Sequence, residues 1–193
     1  MRSLLIAVAS ASFAAPPLPD NQHVFEFGFL GLVALQDPIR PEVPQAVAQC
    51  PAAGMQVVMI TGDHPATARA IARQAGLEAA GEPVTGAALA AMDGAAWTRC
   101  VATHNVFARV RPEQKLRIVK ALQASGQVVA MTGDGVNDAP VLTAADVGIA
   151  LGARGSTAAS ESADVVILLD DVSKVASSIS IAKRTFFIAK QSI

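Results

Sequence analysis

The chain has 193 residues and a net charge of -1, a balance that argues against a nucleic-acid partner. Hydrophobic residues make up 52% and aromatics 4%, the make-up of an alanine- and valine-rich α/β domain long enough to bury a substantial core. Cys50 and Cys100 lack metal or redox spacing and read as small apolar fillers in a reducing setting, His23, His64 and His104 are too scattered for a zinc site, and no run reaches the roughly 18 to 20 apolar residues of a membrane-spanning helix.

Residues 1–15 set one basic residue, Arg2, before a short apolar run and small residues, a pattern close to a secretion signal. A core strand with its flank fits the same residues and is the reading adopted. Residues 25–35 alternate and predict another strand. Strand-like runs that end in polar turns follow at 57–60, 105–108, 128–131, 147–150 and 165–169. Helical patterns separate them at 41–53, 65–76, 112–124 and 138–145, and residues 171–193 read as one long helix. Strands alternating with helices predict a parallel sheet covered on both faces, with ligands bound at the carboxyl ends of the strands.

The most informative stretch is residues 131–140, M-T-G-D-G-V-N-D-A-P, which follows the apolar run Val128-Val129-Ala130. Gly133 and Gly135 let main-chain amides approach a ligand, and a following helix offers its positive end to an anion. Asp134 and Asp138 supply the hard oxygen ligands that magnesium prefers, and Asn137 can donate to a phosphate or lock a carboxylate in place. The turn therefore reads as a magnesium and phosphate site. The structural alternative is a corner in which Asp138 caps the helix and Pro140 occupies its first turn. Thr61-Gly62-Asp63 ends a similar run, so that residues 54–63 and 126–134 echo each other; there Asp63 could equally start a helix.

The decamer resembles the hinge motif of P-type ATPases, ion pumps that carry a phosphorylated aspartate on a domain of the haloacid dehalogenase class. Further motifs follow in family order over about residues 24–193. Asp37-Pro38-Ile39-Arg40 resembles the D-P-x-R hinge, Thr61-Gly62-Asp63 the second phosphate-site motif, and Phe107-Ala108-Arg109 with Pro112-Glu113-Gln114-Lys115 the segment whose lysine contacts the aspartyl phosphate. Without that company Lys115 would read as a solvated helix face, and Asp37 with Arg40 as a proline-marked turn. The resemblance implies catalytic roles for Lys115, Thr61, Asp138 and Asn137, and magnesium (Mg2+) ligation by Asp134 and Asp138. It implies contacts to ATP or its phosphate by Thr61, Gly62, Asp63, Arg109 and Lys115, with Asp37 and Arg40 at the hinge.

The implied organisation is a remnant of a nucleotide-binding domain over residues 1–36, the second segment of a phosphorylation domain over 37–170, and a stalk helix towards the membrane over 171–193. A solvated surface helix is the other reading of that last segment. The implied fold is a Rossmann-like, haloacid dehalogenase-type parallel sheet with helices on both faces, incomplete because the nucleophile strand is absent. No D-K-T-G-T motif occurs, so no covalent phosphoryl intermediate can form on this chain alone.

Four expectations follow from the resemblance. The chain is the magnesium- and phosphate-binding half of a cation pump's phosphorylation site, lying on the cytoplasmic face of the cell membrane; a stand-alone, non-catalytic binding or regulatory module is the alternative. Its partners are the missing nucleophile strand and the nucleotide-binding, actuator and membrane domains, with the transported cation a property of the complete pump. By itself it turns over no ATP. The sheet carries a gap between the strands ending at Thr61 and Thr132, closed either by direct pairing of 57–60 with 128–131 or by a segment such as 27–35 or 4–8. Residues up to about Ala150 resemble calcium and broad-cation pumps, and residues 152–164 and the helix after Asp171 resemble the heavy-metal branch, so the ion is not legible.

Overall fold

The computed structural model describes residues 2–13, 17, 20–79, 81–133, 138–152, 158–169 and 171–191. They fall into two compact units, Met1–Pro38 and Ile39–Ile193.

The first unit is an antiparallel hairpin. Strand β1 (Arg2–Ser10) pairs with β2 (Gly28–Asp37) from Arg2 opposite Asp37 to Ser10 opposite Gly28, with a register shift between Val8 and Ala9. Beyond the paired region Phe25 meets Phe13 edge to face and Phe27 at a tilt, with centroids 5.5 and 6.0 Å apart. Residues 2–10 are a strand as read, but not one of the core. Ile6, Phe29, Leu30 and Leu32 remain exposed because a two-stranded ribbon has no second layer to cover its faces.

The second unit alternates helices and parallel strands. Helix α1 (Val43–Ala52) leads to β3 (Met59–Ile60), α2 (Pro65–Gln74), β4 (Val84–Thr85), α3 (Gly86–Ala90), α4 (Gly94–Thr103), β5 (Val106–Ala108) and α5 (Pro112–Ala124). Then come β6 (Ala130–Gly133), α6 (Ala139–Ala144), β7 (Val147–Leu151), α7 (Ala158–Glu161), β8 (Val165–Ile167) and α8 (Ser173–Gln191). Two three-stranded parallel sheets result, ordered β3-β5-β4 and β6-β7-β8.

The middle strand of each sheet is the most buried, and it is apolar throughout, as a strand covered on both faces must be. In β5 all three residues are buried: Phe107 points into a cluster with Leu89, Trp97, Val101 and Ile118, while Val106 and Ala108 meet Ala68 and Ala72 of α2 on the opposite face. In β7, Ala150 packs with Leu142 and Ala159, and Ile149 packs with Leu151 and Ile167, against which Val172 and Val175 also lie. This is the expected α/β arrangement with helices on both faces.

Neither proposed closure of the gap is seen. Among the described residues β3 pairs with β5 alone, β6 pairs with β7 alone, and β1 and β2 pair with each other. One edge of β3 and one of β6 thus have no strand partner among the described residues, as expected if a strand between them is lacking.

Two readings need correction. The strand expected at 128–131 runs from Ala130 to Gly133: the Val129 amide donates to the Asp146 carboxylate at 2.8 Å instead of to a ladder, and Val128 is 84% exposed. Between residues 77 and 104 no element was read, yet β4, α3 and α4 lie there. Their caps were visible in the sequence, since Thr85 accepts from the Ala88 amide and Asp93 from the Ala96 amide at 2.7 Å.

Candidate functional site

The site grows from the carboxyl ends of β3, β5 and β6. Past Ile60 the ladder continues for one bond, Thr61 N–H to the Phe107 carbonyl at 2.9 Å, and the chain then turns. The Thr61 hydroxyl accepts the Asp63 amide at 3.1 Å, which fixes the turn; a hydroxyl that accepts keeps its own proton to donate to a ligand. Asp63 does not cap α2. His64 stands at that position and accepts the Ala66 amide at 3.3 Å, so the capping alternative for Asp63 falls away.

The loop after β5 locks onto this turn. The Arg109 amide donates to the Asp63 carbonyl at 3.0 Å and the Val110 amide to the Thr61 carbonyl at 3.1 Å. Arg109 adopts φ 53, the only non-glycine among the described residues with positive φ. Helix α5 starts three residues later, at Pro112, and directs Lys115 from its first turn.

Lys115 Nζ donates to Asp138 Oδ1 at 2.7 Å, with the two side chains 20% and 14% exposed. Lys115 is therefore not a solvated helix face. Asp138 occupies the N-cap position of α6 and Pro140 lies in the first turn, but the Asp138 side chain makes no cap bond; its Oδ1 pairs with Lys115 instead. Gly133 makes room for it, since a β-carbon there would lie 2.8 Å from Asp138 Cβ and 3.1 Å from Oδ2.

Of the other expected site residues, Gly62 is exposed with open space around it. Asp37 closes β2 in the first unit and Arg40 precedes α1 in the second, where its carbonyl accepts the Val43 amide at 3.1 Å. Asp134 and Asn137 lie outside the described residues. Sequence reasoning had no place for Gln114, which bridges the Arg111 amide and the Gly86 carbonyl beside Lys115. An amide side chain at the third helical position, two residues after Pro112, was the available signal.

Among the described residues no three His, Cys, Asp or Glu side chains converge on one point, and no helix is long and apolar enough to cross a membrane. Magnesium needs no such cage, since it binds through one or two carboxylates together with phosphate and water oxygens. A largely buried carboxylate beside a fixed ammonium, just past the end of a parallel strand, fits that donor set. Both cysteines carry free thiols whose pKa is raised by burial, in keeping with apolar filling.

A family model described as haloacid dehalogenase-like hydrolase matches residues 13–146, more than two thirds of the chain. The chain belongs to the haloacid dehalogenase-like hydrolase family. Among its relatives, a "Probable cation-transporting ATPase F" of Mycobacterium tuberculosis is 50% identical over 189 residues, covering 94% of this chain and 21% of the relative. A "Calcium-transporting ATPase 1" of Yarrowia lipolytica is 47% identical over 161 residues, covering 82% and 17%. A "Cation-transporting ATPase pma1" of Synechocystis is 44% identical over 173 residues, covering 85% and 19%. These relatives bear out the resemblance to P-type cation-transporting ATPases. This haloacid dehalogenase-like chain spans about a fifth of the length of the curated relatives it matches.

Proposed function

We propose that the chain works as one part of an ATP-driven cation pump and provides the magnesium- and phosphate-binding half of its phosphorylation site. The observation that carries this reading is the bond from Lys115 to Asp138, which joins a cation and an acid from two separate motifs at the carboxyl ends of parallel strands. In this reading Asp134 and Asp138 hold Mg2+, whose chemistry when bound is to neutralise charge on the transferring phosphoryl oxygens. Lys115 holds a fixed positive charge beside the phosphate. Thr61 donates its hydroxyl, Gly62 and Asp63 give the turn its shape, Arg109 adds a second cation, and Asn137 orients a carboxylate or a phosphate oxygen.

The same reading assigns residues 1–36 to the end of a nucleotide-binding domain, 37–170 to the phosphorylation domain with Asp37 and Arg40 at its hinge, and 171–193 to a stalk helix. It places the assembly at the cytoplasmic face of a membrane. The accepting aspartate belongs to another segment, so ATP hydrolysis coupled to cation transport is a property of the complete pump.

Titrating the chain with inorganic phosphate in the presence and absence of magnesium, followed by phosphorus NMR, tests the reading. A saturable, magnesium-dependent shift is expected; no difference between the two titrations would contradict it. The alternative, a stand-alone binding module, differs in its surroundings: an open frame upstream of Met1 that encodes D-K-T-G-T supports the pump, and a stop codon supports the module.

A further inference from the structure

Gln114 uses both ends of its amide. Oε1 accepts the Arg111 amide at 3.0 Å, satisfying the amino terminus of α5, and Nε2 donates to the Gly86 carbonyl at 2.7 Å, tying α5 to the β4–α3 corner 28 residues earlier. Glutamate would do the first task as well and would suit the helix dipole better, but it has no proton with which to do the second.

The corner is pressed against the phosphate-side loop. A β-carbon on Gly86 would collide with the Arg109 carbonyl oxygen and lie 2.6 Å from Gln114 Oε1. Arg109 holds φ 53, a conformation costing a residue with a β-carbon about 1 kcal/mol or more, which persists only when its surroundings over-determine it. On one side the Asp63 and Thr61 carbonyls take the Arg109 and Val110 amides; on the other Gly86 and Gln114 close the space. Lys115 follows Gln114 directly, and its flexible stem places an ammonium reproducibly only if the first turn of α5 is fixed.

We propose that Gln114 is a positioning residue, which through its clamp on Gly86 holds the Arg109–Lys115 segment in the geometry that receives phosphate. This rests on the phosphate-binding reading given above. Gln114 touches neither phosphate nor metal; it acts through Arg109 and Lys115.

Three variants of the full chain test it. Gln114→Glu keeps the bond to Arg111 and loses the one to Gly86, Gln114→Met loses both without adding charge, and Gly86→Ala pushes on the Arg109 carbonyl from the other side. All three are expected to weaken magnesium-dependent inorganic phosphate binding by about five- to tenfold, the scale of one lost hydrogen bond to a placed group, and to speed hydrogen exchange of the Arg109 and Val110 amides. The melting temperature of Gln114→Glu is expected to fall by less than that of Gln114→Met, since the first keeps the helix cap and loses one hydrogen bond while the second loses two. Phosphate affinity and exchange rates in Gln114→Glu equal to wild type would show a helix cap and nothing more, and overturn the proposal. A wild-type chain that binds no phosphate would overturn the reading beneath it; unchanged Arg109 and Val110 exchange in the variants would overturn the clamp alone.

Discussion

Lys115 and Asp138 stand 23 residues apart in sequence, on the first turn of α5 and at the head of α6, and share a bond of 2.7 Å with both side chains largely withdrawn from water. Such a pair is costly to break from one side, because the surviving charge keeps its burial and loses its partner. Lys115→Met should therefore lower unfolding stability by about 1–3 kcal/mol in a urea titration. Wild-type stability in the variant would mean that the pair makes no net contribution.

Gly133 is where the fold and the site meet. A methyl group there intrudes on Asp138 Cβ and Oδ2, and overpacking of this kind costs about 1–3 kcal/mol. Gly133→Ala is expected to stay folded by circular dichroism but to lose magnesium-dependent phosphate binding, since the carboxylate has to move. Binding at wild-type strength would show that Asp138 has freedom to spare.

The open edge of β3 makes a residue-by-residue prediction. Met59 and Thr61 donate to the Asn105 and Phe107 carbonyls of the β5 segment, so by strand alternation the Ile60 amide points to the other edge. Hydrogen exchange should be slow at Met59 and Thr61 and fast at Ile60. Equal protection at all three would mean that a further strand closes this edge.

Much of this architecture was legible because parallel strands covered on both faces are continuous apolar runs, as at Val106-Phe107-Ala108, and because proline marks several helix starts, as at Pro65 and Pro112. The exceptions have local causes. Val128-Val129 is as apolar as a strand, but a side chain, Asp146, takes the Val129 amide. The helices between residues 86 and 103 are alanine-rich with short apolar faces, which leaves the caps Thr85 and Asp93 as their main signal in the sequence. The pairing of Lys115 with Asp138 was not visible at all: family order put both residues near phosphate, but only the packing of α5 on α6 brings them into contact.

Acid should loosen the start of β6. The Val129 amide, and after it the Gln123 side chain, hold the Asp146 carboxyl below its ordinary value of 3.8. In the window between that value and the lower folded one, the native state binds fewer protons than the unfolded state, so stability rises with pH. The contribution is complete above the ordinary value and is lost as pH falls through the folded one. Asp146→Asn should flatten the pH dependence of the melting temperature in this acid range, whereas an unaltered slope would remove Asp146 from the account.

The central claim is that a magnesium ion and a phosphoryl group meet at the turn after β6. Its most direct measurement is magnesium-dependent binding of a phosphate analogue to a pump reconstituted with Asp134→Asn, beside an Asp93→Asn control whose asparagine still caps α4. The account predicts that binding is abolished by Asp134→Asn and little changed by Asp93→Asn; equal effects from the two would contradict it.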